Sequence, residues 1–413
     1  MKNVRRIIAI AMVAVILAGM SAFSAFAEDS EKVRVTLRIE GINECMYFNE
    51  NLYLDAGATV ADLMLMINDQ EDAPDVVIAD ATWGAYVSSI GGLEEFKFGS
   101  MSGWNYRVNG EEPSFGISLY ELNNDDSIVY FYGDPFGVGM QHPEIDTTAL
   151  FTEGVIKFTS SDTTYDEEWT PTIQENPVAG ATVTLDNEVY TTDENGRIKP
   201  AGGTVASGFH QVQIERYDEE TGVPTILRYE PGYNLYIPFK DTPESAWYEE
   251  AVLFCVSTGY LIGTNPAQNI FGAMSKMTMA QLITVLARIA NADLAESTTP
   301  YYASALEWAV KNEIIAESEF EAGAFVTRET FIYMFYLAVG LVGTYDMEAA
   351  ADISSAVDYA DLNEDYIQAI SWAVASGIII GTSEDELTIT PGFEINRATA
   401  CQMLLNYFMN SEY

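Results

Sequence analysis

"AISWAVASGIIIGT", residues 369–382, reads as an apolar helix that ends at a glycine and then turns. A closely similar string, "AVLFCVSTGYLIGT", occupies residues 251–264, 118 positions earlier in the chain. A glycine just beyond an apolar run is a typical helix end. Because the helix and the turn recur together, the agreement exceeds chance hydrophobicity and the two strings indicate internal repeats.

Each string begins a longer unit that continues through a short extended piece into a second helix. The second helix reads "TMAQLITVLARI" in the first unit and "NRATACQMLLNYF" in the last. A degenerate copy, "YYASALEWAVKNEIIAESEF" followed by "TRETFIYMFYLAVGL", lies between them and lacks the glycine turn. A unit of about 50 residues with two amphipathic helices cannot bury its apolar faces alone, whereas three units can share one core. The sequence therefore predicts an all-α domain of three repeats, at 239–292, 297–345 and 355–413.

The region 33–134 has a different pattern. It starts with a strand, "VRVTLRIEG", and continues with "AGATVADLMLMI", in which Thr59 is a candidate N-cap before apolar residues at helical spacing. Short alternating strands follow, with an Asn109-Gly110 turn. A strand, a helix and then several strands predict a small α+β domain of the β-grasp kind.

The region 150–238 is rich in Thr, Val and Tyr, and turn residues recur at short intervals. Strands are predicted on both sides of turns at Asp186-Asn187 and Asn195-Gly196. This pattern predicts an all-β sandwich. It resembles the prealbumin-like modules of secreted proteins, and the resemblance implies a spacer.

The first 27 residues have the pattern of a secretory signal peptide. Lys2, Arg5 and Arg6 precede an apolar run, and a small-x-small sequence follows at 25–27. The alternative is a retained membrane anchor. No later segment reaches the 18 to 20 apolar residues that span a bilayer. We therefore expect an exported protein that does not contact the membrane after cleavage.

The composition excludes several classes of partner. The chain has 62 acidic and 19 basic residues, with a formal net charge of −43 at pH 7. Such a field repels nucleic acid and anionic lipid, so both are excluded as partners. Three widely spaced cysteines and two histidines provide neither a disulfide framework nor a metal motif. We expect no cofactor, and we expect Cys255 and Cys401 to be buried thiols within helices.

The second helices of the repeats carry an unusual charge pattern. The predicted N-cap residues are Thr278, Thr327 and Asn396, and Met279, Arg328 and Arg397 follow them. An arginine in the first turn is unfavourable next to the positive helix end. Residues 241–413 contain five basic residues against 24 acidic ones, yet two of the five occupy this position. An anion that docks on exposed N–H groups and the guanidinium would offset the cost. Alternatively, the arginines pair with carboxylates such as Glu329 or Glu394.

Several motifs taken together resemble S-layer homology repeats, and the resemblance covers about 239–408. They are an aromatic-x-Asp opening with a following tryptophan, the "GYLIGT" and "GIIIGT" turns, and the "TRET" and "NRAT" helix starts. The resemblance implies a pseudo-threefold bundle whose grooves bind anionic, often pyruvylated, wall glycans. By motif, the implied groove residues are Asp241, Trp247, Gly263, Arg328, Asp361, Gly381, Thr382 and Arg397. Because Met279 replaces an arginine and the second copy is degenerate, we expect one or two of three grooves to be competent.

The N-terminal region carries a third resemblance. The strings "GATVADL", "YVSSIGG", "GWNYRVNG" and "DDSIVYFY" occur in the order typical of a bacterial domain-of-unknown-function family. That family is related to the C-terminal domain of transcobalamin and intrinsic factor. The resemblance implies a binding surface for a corrinoid, another small ligand or a protein. Trp104, Tyr106 and Val108 are expected to pack in the strands.

These patterns favour a non-enzymatic, exported surface protein anchored non-covalently to an anionic secondary cell-wall polysaccharide. The N-terminal domain would be displayed to bind an unknown small ligand or protein. One alternative is a wall-glycan enzyme with a carboxylate pair. Another is a structural S-layer component. The chain shows no barrel alternation, nucleophile elbow or cofactor loop, which disfavours an enzyme.

Overall fold

The computed structural model describes residues 32–82, 84–134, 139–165, 171–243, 245–265, 268–294, 299–343, 347–379 and 386–410. It contains several β-sheets together with helices, as predicted for a multidomain α+β chain. Its described residues form two compact units. The first unit comprises 32–205 and 210–235, and the second comprises 206–209 and 236–410. The predicted signal peptide lies outside the described residues, none of whose helices is long and apolar enough to cross a membrane.

The first unit begins with a mixed four-stranded sheet. Its strands are β1 (Lys32–Glu40), β2 (Cys45–Asp55), β6 (Gly103–Val108) and β7 (Asp126–Gly133), in the order β2-β1-β7-β6. Strand β1 is antiparallel to β2 and parallel to β7. Val35, Leu37 and Ile39 alternate along β1 and are fully buried, so one face of the strand forms the core.

Helix α1 (Val60–Ile67) packs in this core. Thr59 caps it as predicted: its side chain accepts the Asp62 N–H at 3.3 Å, and the Asp62 carboxylate accepts the Thr59 N–H at 2.7 Å. Val60, Leu63 and Ile67 form part of the buried face. Hydrogen bonds from Thr59 lower the pKa of the Asp62 carboxyl.

A three-stranded antiparallel sheet follows helix α1 in the chain. It consists of β3 (Val76–Ala81), β4 (Gly84–Ile90) and β5 (Leu93–Glu94). The indole N–H of Trp104 donates to the Leu93 carbonyl at 2.7 Å, and the Tyr106 ring stacks on Tyr130. Val108 is buried. These three residues of β6 therefore pack in the strands, as predicted.

The residues between β7 and the first helix of the C-terminal region are mainly β-structure. One sheet contains β8 (Glu144–Asp146), β9 (Ile156–Tyr165), β10 (Pro171–Pro177) and β13 (Arg197–Ile198), with β9 paired to the other three. The other has the order β12-β11-β14-β15, with β11 (Thr182–Leu185), β12 (Glu188–Thr191), β14 (Gly208–Glu215) and β15 (Asn234–Ile237). A short helix, α2 (Leu150–Glu153), precedes β9. The predicted Asp186-Asn187 turn joins β11 to β12. Leu185 pairs with Glu188, so Asp186 and Asn187 form the tip of the hairpin.

The second unit contains three helix pairs among its described residues. The first pair is α3 (Glu249–Ser257) and α4 (Met279–Ile289), the second is α5 (Ala303–Lys311) and α6 (Arg328–Val342), and the third is α7 (Ile367–Ala375) and α8 (Arg397–Asn410). Helix α5 packs on α4, α7 packs on α6, and α3 packs on α8. The first helix of every pair thus contacts the second helix of another pair, and the arrangement closes on itself.

All three helix pairs contribute to one hydrophobic core. Phe254, Phe335 and Trp372 are among its largest fully buried side chains, and they come from the first, second and third pair respectively. Cys255 and Cys401 are buried in the same core, as predicted. A shared core explains why the apolar first helix must recur in each copy.

A closed ring of backbone hydrogen bonds joins the helix pairs. The Met277 N–H donates to the Ile395 carbonyl at 2.9 Å, and the Ile395 N–H donates to the Val326 carbonyl at 2.9 Å. The Val326 N–H donates to the Met277 carbonyl at 3.0 Å. The three residues are fully buried and each lies two positions before the first residue of its second helix. They are therefore structurally equivalent positions.

Candidate functional site

The second helices begin where the sequence predicted. The Thr278 hydroxyl accepts the Gln281 N–H at 3.4 Å, and the Thr327 hydroxyl accepts the Thr330 N–H at 3.3 Å. The Asn396 side-chain oxygen accepts the Thr399 N–H at 2.8 Å. All three predicted N-caps are confirmed.

The next N–H groups of these helices are not exposed donors. Those of Met279, Arg328 and Arg397 donate to the carbonyls of Ala324, Phe393 and Ser275 at 2.9, 2.9 and 3.0 Å. The following N–H groups, of Ala280, Glu329 and Ala398, donate to the carbonyls of Ala322, Pro391 and Ala273. Each acceptor lies in the segment that connects the two helices of a pair other than the donor's own pair. The expectation that an anion docks on these N–H groups is wrong, because neighbouring carbonyls already occupy them.

Arg397 is a buried residue with backbone partners. Only 4 % of its surface is exposed. Its Nε donates to the Phe271 carbonyl at 3.2 Å, its Nη2 donates to the Ile262 carbonyl at 2.6 Å, and the guanidinium lies 4.7 Å from the centre of the Phe271 ring. Burial lowers the pKa of Arg397. Arg397 therefore links α8 to the segment that follows α3.

Arg328 has the same role but is less completely bound. Its Nη1 donates to the Ile389 carbonyl at 3.2 Å and to the Thr390 hydroxyl at 3.1 Å. Its Nε is buried and finds no hydrogen-bond partner among the described residues. Burial lowers the pKa of Arg328, and the nearby Asp358 carboxylate acts in the opposite direction. Arg328 as a whole is half-buried. Its Nε lacks a partner, whereas the Nε of Arg397 donates to a carbonyl.

Pairing of these arginines with Glu329 or Glu394 is also wrong. Glu394 forms an ion pair with Lys276, and Glu329 accepts the Asn363 N–H at 3.1 Å. Within the described residues, neither arginine forms an ion pair. Backbone carbonyls, which the residue types alone do not reveal, are the principal partners.

Asp241 holds the segment that Arg397 contacts. Its carboxylate accepts the N–H groups of Phe271, Gly272 and Ala273 at 2.8, 2.7 and 3.3 Å. Three hydrogen bonds to one carboxylate fix the backbone turn that precedes α4. Asp241 thus stabilises this segment from a distant position in the chain.

The residue of the third copy that makes the contacts equivalent to those of Asp241 is Asp358, and not Asp361, which the motif aligned with Asp241. The Asp358 carboxylate accepts the N–H groups of Ile389 and Thr390 at 3.0 and 2.6 Å. Ile389 is also the residue whose carbonyl binds Arg328. Asp361 is exposed, and its N–H donates to the Asp358 carbonyl at 3.0 Å.

Gly263 is required by close packing. A Cβ at this position would lie 2.5 Å from Cε1 of Phe239 and 2.8 Å from the Ile270 carbonyl oxygen. Real Cβ atoms do not approach so closely, so Gly263 permits the turn to reach the core. The other predicted turn residues, Gly381 and Thr382, lie outside the described residues.

Trp247, another predicted groove residue, is largely exposed. The residue is 59 % exposed, and its ring contacts the Tyr248 ring edge-on, with centroids 5.2 Å apart and an interplanar angle of 87°. Tyr248 is the N-cap of α3 and is buried. The Trp247 ring is therefore held by one neighbour while most of it faces solvent.

Tyr301 occupies the equivalent position in the second copy, and the motifs missed it. It is 58 % exposed and contacts Tyr302, the N-cap of α5, edge-on at 5.3 Å and 86°. Burial raises the pKa of Tyr301, while a hydrogen bond with Thr278 acts in the opposite direction. The ring therefore lies beside the N-terminus of α4. An alignment of "WY" with "YY" at the starts of the two first helices would have revealed it.

The N-terminal region matches a known family model. Residues 57–133 match "Domain of unknown function (DUF4430)". No curated protein sequence matches the chain. The match confirms the predicted domain-of-unknown-function family for this part of the chain.

Two solved structures resemble parts of the chain. One is haptocorrin in complex with Cbi, with 21 % identity, a TM-score of 0.23 and coverage of 27 % of both chains. The other is described as a metal-binding protein from Ruminococcus gnavus ATCC 29149, with 11 % identity, a TM-score of 0.19 and coverage of 25 % of this chain and 97 % of that one. The chain thus spans about a quarter of the haptocorrin chain. Of the three resemblances found in the sequence, the N-terminal one is supported by the match to a domain of unknown function.

Proposed function

We propose that the protein is a non-enzymatic, exported surface protein. Residues 239–410 would be three S-layer homology repeats that hold it to an anionic secondary cell-wall polysaccharide. The N-terminal α+β domain would be displayed to bind a small ligand or another protein, and the β-rich region after it would be a prealbumin-like spacer.

The hydrogen-bond ring supports the three-repeat part of this proposal. Met277, Val326 and Ile395 occupy equivalent positions and donate to one another in a cycle. The first N–H groups of α4, α6 and α8 form a second cycle with carbonyls of other helix pairs. A pseudo-threefold arrangement of this kind is what the S-layer homology resemblance implies.

The observation that carries the proposal is the pair of equivalent exposed rings. Trp247 and Tyr301 are each more than half exposed and are held edge-on by the next residue. A large ring kept out of the core at equivalent positions favours a contact surface over a packing role. The apolar faces of sugar rings can stack on such side chains.

Arg328 supports an anionic ligand. The chain has a net charge of −43, so an anionic polymer needs a local cation to overcome the long-range repulsion. The buried Nε of Arg328 has no partner among the described residues, and its guanidinium is half-buried. Arg397 is almost fully buried and is bound to two carbonyls. We therefore assign the anionic group to the surroundings of Arg328 and not to Arg397.

The test is retention of the full chain on purified cell walls, with and without removal of the secondary polysaccharide. Wild type should sediment with intact walls and remain in solution with stripped walls. A double variant, W247A and Y301A, should bind about tenfold more weakly, as expected for the loss of stacked aromatic contacts.

The matched control is Y53A, since Tyr53 is 55 % exposed but lies in the first unit. It should bind like wild type. Equal binding to intact and stripped walls, or full binding by the folded double variant, would contradict the proposal. Release of soluble sugar from the walls by the purified protein would favour a wall-glycan enzyme instead.

A further inference from the structure

We propose that the first unit binds a small ligand with a protonated amine, in a cavity of about 320 Å³ beside Glu40. The cavity lies between the turn that joins β1 to β2 and one face of the sheet that contains β11 and β14. Its volume falls at the lower end of the range typical of small-molecule sites. The site is separate from the proposed wall-binding surface, and all of its lining residues belong to the first unit.

The sheet side of the cavity is a polar surface formed by two cross-strand pairs. Thr182 pairs with Glu215, and Thr184 pairs with Gln213. Because alternate residues of a strand point to opposite faces, these four side chains share one face. The residues between them on β11 and β14, such as Val183, are buried on the other face. Hydroxyl, amide and carboxylate groups thus line one wall of the cavity.

Glu40, on the opposite side, is a buried carboxylate that faces the guanidinium groups of Arg38 and Arg228. Glu40 is only 3 % exposed, yet it lines the cavity. Its Oε2 accepts the Nε and Nη2 of Arg228 at 3.0 and 2.8 Å. Its Oε1 is buried without a hydrogen-bond partner among the described residues and lies 3.5 Å from Nη1 of Arg38. Glu40 is therefore a buried, arginine-paired carboxylate at the base of the cavity, and the lining carboxylates that a ligand can reach are those of Glu44 and Glu215, which are exposed.

Arg228 is not available to bind an anion in this cavity. Besides Glu40, its guanidinium donates to the carbonyls of Gly41 and Ile42 at 3.0 and 2.9 Å and to the Tyr217 hydroxyl at 3.2 Å. The remaining charged groups of the lining are the carboxylates of Glu44 and Glu215. The cavity is therefore negatively charged and rich in acceptors. An ammonium group supplies both a positive charge and three donors, which is what this lining lacks.

A metal ion fits this cavity less well than an organic cation. Within the described part of the chain, no group of three or more His, Cys, Asp or Glu residues could hold a metal. The lining also includes Tyr229 and Pro231, which add apolar surface for the carbon atoms of a ligand. An amine on a short carbon chain or a sugar ring matches this mixture of acceptors and apolar groups.

The experiment is calorimetric titration of the full chain with 1,4-diaminobutane and with glucosamine. The neutral analogues 1,4-butanediol and glucose test the requirement for the charge. We expect at least one amine to bind with a dissociation constant in the millimolar range or lower, and about tenfold more tightly than its neutral analogue. Absence of binding by both amines, or equal binding by the neutral analogues, would overturn the proposal.

Variants locate the binding. E40Q should weaken amine binding at least about tenfold because it removes the buried charge. Since E40Q also breaks the contact with Arg228, E215Q and T184V provide changes at more accessible positions of the cavity. E188Q, on an exposed residue of the neighbouring strand β12, is the matched control and should bind normally. Wild-type affinity in folded E215Q and T184V would show that the amine binds elsewhere.

Cys45 supplies an independent readout, because it lines the same cavity. Its thiol donates to the Tyr47 carbonyl at 3.3 Å and is half-buried. A bound amine should slow alkylation of Cys45 by iodoacetamide, and the neutral analogue should not. Unchanged alkylation at a saturating amine concentration would place the ligand outside this cavity.

Discussion

Asp241 and Arg397 bind the same segment of backbone, although 156 residues separate them in the chain. Asp241 accepts N–H groups of Phe271, Gly272 and Ala273, and Arg397 donates to the Phe271 carbonyl. One residue thus satisfies the donors of this segment and the other satisfies an acceptor. Asp358 and Arg328 repeat the relationship at Ile389. The two arginines therefore stabilise contacts between helix pairs.

We predict that R397A destabilises the second unit by about 2–4 kcal/mol, because it leaves the buried Phe271 carbonyl and the Ile262 carbonyl without their donor and opens a cavity. R328A should cost about 1–2 kcal/mol less, because Arg328 is less buried and makes fewer buried hydrogen bonds. Urea unfolding followed by circular dichroism measures both values. R397K is the control for charge, and it should remain destabilised because a lysine cannot bind both carbonyls as the guanidinium does. Wild-type stability of R397A would contradict the structural role.

D241N and D361N should differ in their effect on the free energy of unfolding, although the sequence motif aligned the two aspartates. D241N weakens three hydrogen bonds to a carboxylate, and we expect a loss of about 1–3 kcal/mol in the free energy of unfolding. D361N changes an exposed residue and should stay within about 0.5 kcal/mol of wild type. Thermal unfolding of both variants under identical conditions gives the comparison. Equal losses would show that Asp361 has a structural contact comparable to that of Asp241.

G263A should destabilise the second unit by about 1–3 kcal/mol, because the added Cβ overlaps the Phe239 ring and the Ile270 carbonyl. The matched control is G323A. A Cβ at Gly323 meets no atom within 4 Å, so that variant should unfold near the wild-type temperature. Differential scanning calorimetry measures both. A lower melting temperature for G323A than for G263A would contradict the packing argument.

The three thiols should differ in reactivity. Cys255 and Cys401 are fully buried and should be alkylated only after unfolding. Burial, followed by the charge of Glu40, raises the pKa of the Cys45 thiol to about 11. Its thiolate fraction near pH 8 is then about 100-fold below that of a thiol with an ordinary pKa of 9.0, and it rises about tenfold per pH unit up to pH 10.

Iodoacetamide labelling between pH 8 and 10, read by mass spectrometry of peptides, tests this. The unfolded chain in urea is the control, in which all three cysteines should react rapidly. The native chain should be labelled slowly and at Cys45 alone. Rapid labelling of Cys401 in the native chain would show that the core of the second unit opens readily.

Local features of the fold could be predicted from the sequence. The N-caps at Thr59, Thr278 and Asn396 depend on hydrogen bonds to residues three positions away, which the sequence displays directly. The turn at Asp186 likewise depends on neighbouring residues. The need for a shared core follows from the amphipathic pattern of each copy, and the buried thiols follow from their position within apolar helices.

The role of the arginines could not be predicted in the same way. Arg397 donates to carbonyls that lie 126 and 135 positions away in the chain, and any residue type can provide a carbonyl. The residue types therefore suggested anions or carboxylates as partners of the arginines, because a sequence distinguishes side chains but not backbone carbonyls. Asp358 and Asp361 lie three positions apart, and the backbone N–H groups that distinguish them are about 30 positions further on.

The hydrogen-bond cycle through Met277, Val326 and Ile395 makes the number three a fixed property of this module. In an open solenoid, repeats can be added or lost at either end, since each contacts only its neighbours. Here every helix pair has two partners and the series has no end. Deleting one pair would leave both survivors with exposed apolar surface and unsatisfied backbone groups. Proteolytic removal of one helix pair should therefore unfold the whole module. Duplication of one copy could not extend the module, because the closed cycle has no end at which a fourth pair could be added.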